Sequence, residues 1–127
     1  MDKSVLVSVD LEQGSQILGI LDRAGIKVKV GLWVYFSEYE GWRLVLAGRQ
    51  FDAIPLRDAY GLVHEALRAA GIGPESEPVF MIFAMDDPFV KGLRRLFGKA
   101  RRVEGMRLGG DTIGDRDVEE GYVYRIT

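Results

Sequence analysis

Asp86 and Asp87 stand side by side after an apolar run and directly before Pro88. Paired carboxylates at the end of a buried strand are where many α/β enzymes hold a divalent cation for phosphate chemistry, with Asp10 the natural third acid here. The competing reading is structural. One aspartate caps a helix whose first position Pro88 takes, and this accounts for all three residues of "DDP". In the fold argued below, the strands leading to Asp10 and Asp86 run antiparallel and carry their acids to opposite ends of the sheet. No metal site is therefore expected.

A second candidate is a run of cations. Lys91, Arg94, Arg95, Lys99, Arg101 and Arg102 place six positive charges within twelve residues, with no acid among them. The whole chain carries a net charge of -2, so the remainder carries -8 and the asymmetry is real. A solvated helix face with bases near its C-terminus is the plain explanation. The functional one is a ligand-binding segment for a phosphate-bearing partner or nucleic acid, without the aromatic-basic signature of an RNA-binding sheet. His64 is the sole histidine, with only Asp58, Glu65 and Arg68 as generic helix neighbours, and reads as a surface or boundary residue. "LGGDTIGD" matches neither a Walker A loop nor a dinucleotide fingerprint, and a β-turn suffices for it. No serine sits in a nucleophile elbow.

Composition narrows the classes further. With 127 residues, 47% apolar and 28% charged, the chain suits one globular domain spanning residues 1–127. The absence of cysteine removes disulfides and thiolate chemistry, and one histidine cannot build a zinc or copper cluster. No cofactor is expected. The N-terminal apolar run is too short for a signal core or a membrane span, so the expected location is cytoplasmic, with no membrane partner. Absence of Asn and Cys, three Gln, and twelve Arg against five Lys fit a heat-adapted source, a thermophile.

These candidates must be positioned by a coarse series of elements. "SVLVSV", residues 4–9, predicts a strand. Asp10 as N-cap with Gln13 three residues on predicts a helix from about 11 to 24, stopped by Gly25. "IKVKVGLWVYF" and "WRLVLAGRQF" predict a hairpin through "SEYEG". With Phe36 opposite Trp42, Tyr35 meets Arg43 and Trp33 meets Val45. One face then holds Val28, Val30, Leu32, Val34, Phe36, Trp42, Leu44 and Leu46. The other, with Lys27, Lys29, Gly31, Trp33, Tyr35, Arg43, Val45 and Ala47, is half-apolar and needs a cover. Pro55 opens a second helix that ends near Gly71, with Ala59, Val63, Ala66, Leu67 and Ala70 inward. "VFMIFAM", 79–85, predicts a strand covered on both sides. A third helix follows over about 88–97, with Val90, Leu93, Leu96 and Phe97 inward and Gly98 after it, then a turn at "GGDT" and a last strand at "GYVYRI".

The order β-α-β-β-α-β through residue 85 is that of a ferredoxin-like unit. The expected fold is a single α+β domain of that type with a C-terminal helix and β-hairpin extension. Trp33 and Tyr35 are then expected beneath the extension or in a homodimer interface. An N-terminal helix without a first strand is the rival, and would give another sheet order.

Four stretches, "GLWVY", "GWRLVLA", "DPFVKGLRR" and "GYVYRI", resemble an uncharacterised family of small bacterial proteins. The resemblance implies a common fold and no activity, and transfers no functional residue. The functional expectation is a dimeric, non-enzymatic binding or interaction module. The alternatives are a nucleic-acid-binding module using residues 91–102 and a metal-dependent phosphate-processing enzyme using Asp86 and Asp87.

Overall fold

The computed structural model describes Leu6 and residues 8–127, with Val9 described by its backbone alone. Its first element is helix α1, Ser8–Arg23. The strand expected over 4–9 lies largely outside the described residues, and its last two positions, Ser8 and Val9, are helical. Asp10 accordingly sits in the first turn of α1 and is not its cap. Ile17, Leu18 and Leu21 make the buried stripe, as their spacing requires. The helix ends in a Schellman motif. Gly25 takes φ +81, its N–H bonds to the Asp22 carbonyl, and the Ile26 N–H bonds back to the Leu21 carbonyl at 2.9 Å.

Strands β1, Val30–Phe36, and β2, Gly41–Ala47, form the expected hairpin, but one residue out of the expected register. Tyr35 faces Trp42, Trp33 faces Leu44 and Val34 faces Arg43. The connecting loop is the four residues 37–40, closed by Tyr39 and Glu40 N–H groups on the Phe36 carbonyl. Side chains alternate faces with a period of two, so the slip exchanges the two faces of β2. Leu44 and Leu46 join Trp33, whereas Val45 and Ala47 join Val30, Leu32, Val34 and Phe36. Both faces of β2 are apolar, so hydrophobic pattern does not discriminate between the registers. The loop does.

Short helix α2, Arg49–Asp52, follows because Phe51 is drawn into the core. Helix α3, Leu56–Ala69, starts after Pro55 as expected and buries Ala59, Val63 and Leu67. Ala70 lies past its end and is exposed. A 3-10 turn at Pro74–Ser76 leads to strand β3, Phe80–Phe83. This strand is shorter than the apolar run that encodes it, and Val79 is 59% exposed. Helix α4, Pro88–Phe97, is capped by Asp87, whose carboxylate accepts from the Phe89 N–H at 2.9 Å. It buries Phe89, Val90 and Leu93, whereas Leu96, expected inward, is 60% exposed. Gly98 keeps right-handed backbone, so it is not a left-handed stop. The "GGDT" residues lie within strand β4, Arg107–Ile113; the turn into β5, Arg116–Ile126, comes after them at Gly114 and Asp115.

The sheet order is β3-β2-β1-β5-β4, with β2 and β3 parallel and the other pairs antiparallel. The molecule is a single α+β domain, but this order departs from the ferredoxin-like one, which would insert the first strand between β2 and β3. The C-terminal hairpin does not fold over the sheet. It extends the sheet, because β1 has a free edge and β5 supplies eleven residues to pair with it. One face is covered by α1 and α3, over Trp33, Leu44 and Leu46; the other is covered by α4, over Val30, Leu32, Val34 and Phe36.

Trp33 and Tyr35 are 4% and 7% exposed within one chain. The expectation that the extension or a second subunit would overlie them is corrected for Trp33. It lies under α1, where Gly14 leaves room: a Cβ there would be 2.7 Å from the Trp33 Nε1. Its indole N–H donates to the Tyr124 hydroxyl of β5 at 3.0 Å, and that hydroxyl donates to the Leu11 carbonyl at 2.6 Å. The aromatic surface that suggested a partner subunit is thus used inside the fold. The edge strand β3 is also blunted, since the Ile82 N–H donates to the Tyr60 hydroxyl of α3 at 3.0 Å.

Candidate functional site

Parallel β2 and β3 end together, and the chain leaves them through α2 and through the loop before α4. Between these exits lies a cleft of about 610 Å³, lined among others by Asp52, Asp86, Asp87, Tyr60 and Arg116. Its acids are committed locally. Asp87 caps α4. Both oxygens of Asp52 face the Met85 N–H, at 3.3 and 3.2 Å, and hold the β3–α4 loop against α2. Asp86 is exposed. Among the described residues, no three of His, Asp or Glu are grouped to hold a metal ion. Asp10, the proposed third acid, sits on α1 and does not line this cleft.

Arg116, at the start of β5, closes one wall. Its guanidinium carbon lies 5.1 Å from the Phe83 ring centre and 5.6 Å from that of Phe36. One terminal nitrogen, Nη1, donates to Glu38 at 2.5 Å and to the Tyr39 hydroxyl at 3.2 Å, while Nε is buried without a partner among the described residues. Burial works against its charge. The Tyr39 hydroxyl and the negative Glu38 and Asp87 outweigh burial and hold the group above its ordinary value. Arg116 and Asp52 carry no local signal in the sequence; only pairing of β5 with β1 brings Arg116 to this corner.

His64 pairs with none of its helix neighbours. Its Nδ1 is 2.5 Å from Glu77, thirteen residues on, and its ring sits 5.0 Å from that of Phe80. The Glu77 side chain is only 7% exposed, so this contact anchors the α3–β3 loop. Gln13 ties the same loop to α1 by donating to the Ser76 carbonyl at 2.9 Å.

All six cations of the basic run are exposed. Lys91, Arg94 and Arg95 occupy the outer face of α4, opposite buried Phe89, Val90 and Leu93, and Lys99, Arg101 and Arg102 follow in the loop. None makes an ion pair with a described residue. Arg94 and Arg95 line a cleft of about 380 Å³ beside Phe97 and Ile126. Arg95 also lines another of about 300 Å³ against the β4–β5 hairpin, where the fold adds Asp111 and Thr112. These two residues are absent from the sequence-based candidates, being remote from the run along the chain.

No family model, curated protein or solved structure matches the chain. Among the described residues, no helix is long and apolar enough to cross a membrane.

Proposed function

We propose that the protein is a binding module that engages a phosphate-bearing polymer through the outer face of α4 and the loop after it. One observation carries this reading: six cations between Lys91 and Arg102 are all exposed and have no ion-pair partner among the described residues, on a chain otherwise net negative. The helix dipole accounts for Arg94 and Arg95 in the last turn of α4; the unpaired charge beyond them is left to solvent, where it attracts anions. The rigid elements beneath supply a fixed platform, since α4 is capped by Asp87 and seated by three fully buried side chains. Phosphate chemistry at Asp86 and Asp87 is the weaker reading, because Asp87 is used in the cap and Asp52 in the loop.

The test is fluorescence anisotropy with a labelled mixed-sequence DNA duplex over a salt series. Three or four phosphates neutralised together give a slope of log affinity against log salt of roughly -3 to -4 on a duplex. Arg94→Glu/Arg95→Glu/Arg101→Glu abolishes binding while circular dichroism stays unchanged, because all three side chains are exposed. Binding that ignores salt, or that survives the triple change, refutes the reading.

A further inference from the structure

Helix α4 and the β4–β5 hairpin meet almost backbone to backbone at one point and part beyond it. A Cβ on Gly92 would stand 2.8 Å from the Ile113 Cγ2 and 3.0 Å from the Gly114 nitrogen, so no side chain fits there. One helical turn later Arg95 and Leu96 stand at the cleft of about 300 Å³, with Asp111 and Thr112 from the hairpin. Leu96 is among the most exposed large apolar side chains described, at 60%. Thr112 donates its hydroxyl to Asp117 at 2.9 Å, and Asp111 accepts from the Gly109 N–H at 3.4 Å. Asp111 lies on the same face of β4 as Ile113, toward α4, and keeps acceptor capacity for a ligand; Thr112 points to the opposite face, with Asp117.

A simple phosphate clamp has no use for Asp111, which repels phosphate. A nucleobase does have a use for it, because a carboxylate accepts from the exocyclic amino group of cytosine or adenine. An apolar wall and a guanidinium plane suit the face of an unstacked base, and the cations on the rest of α4 suit the phosphates on either side. Duplex DNA hides its base faces and cannot use such a cleft.

Building on the polyanion reading above, we infer that the polymer is single-stranded nucleic acid, one base of which seats between Arg95 and Leu96 of α4 and Asp111 of β4.

The experiment compares three labelled or competing probes at a low and a raised salt concentration: an oligodeoxycytidylate, a duplex of the same length, and heparin. The single strand binds about tenfold tighter than the duplex. Leu96→Gln, an exposed and charge-neutral change, weakens the single strand by about three- to tenfold and leaves heparin unaffected. If the duplex binds as tightly as the single strand, or if Leu96→Gln leaves the single strand unchanged, the base-seating inference is overturned, while salt-dependent binding of all three probes upholds the polyanion reading. If none of the three binds, both fall.

Discussion

Replacing Tyr124 by Phe removes one oxygen and leaves the ring. The ring keeps its edge contact with Tyr122, at 5.2 Å between centroids, so little apolar packing is lost. The oxygen, however, serves two groups under α1: it accepts from the Trp33 indole and donates to the Leu11 carbonyl. Trp33 is buried, and its N–H is left without a partner. An unsatisfied buried donor costs about 1–3 kcal/mol, and the carbonyl, already in a helix, adds less. A loss of about 2 kcal/mol is expected, or roughly 8 °C in Tm for a domain of this size. Urea unfolding followed by circular dichroism measures it. In a double-mutant cycle, Trp33→Phe with Tyr124→Phe costs about 1 kcal/mol less than the two single changes added, because no orphaned indole N–H remains.

The same hydroxyl has a pH signature. Burial pushes it up from its ordinary value of 10 to about 12, against the opposing bond from Trp33 and with smaller help from Tyr122 and Asp10. A folded value above the unfolded one means a contribution fully present below pH 10 and lost as pH rises toward 12. Tyr124→Phe therefore loses less stability over that window than the wild type. A variant within about 0.5 kcal/mol of the wild type, or a cycle with no coupling, would refute the account.

Two further outcomes concern the α4 platform. Gly114 and Gly105 both have positive φ, +62 and +87, so alanine carries comparable backbone strain at each, about 1–2 kcal/mol. A Cβ at Gly114 would also lie 2.4 Å from the Pro88 carbonyl oxygen, whereas the nearest atom at Gly105 is 3.8 Å away; Gly114→Ala should therefore be clearly the more destabilising in thermal melts, and equal losses would exclude the close approach. Asp87→Ala should cost about 1 kcal/mol by urea unfolding, with Asp87→Ser nearly neutral, since either residue can accept the Phe89 N–H.

Several parts of the molecule are set by short-range chemistry and were legible for that reason. Gly25 and Gly71 end α1 and α3 because both sit in left-handed turns after an apolar stripe. Pro88 after Asp87 starts α4, and both residues act as their types imply. The exposure of the basic run also follows from its composition, as charged side chains leave the core to Phe89, Val90 and Leu93. What no stretch of sequence contained was long-range. The hairpin register depended on a four-residue loop between strands apolar on both faces, so a slip of one residue left the pattern equally apolar. The sheet order depended on which strand took the free edge of β1, and the eleven-residue β5 took it. That choice sends Tyr124 to Trp33, Arg116 to the β3 corner and Asp111 to the flank of α4. Residues so far apart along the chain share no local signal, because they meet only through strand pairing.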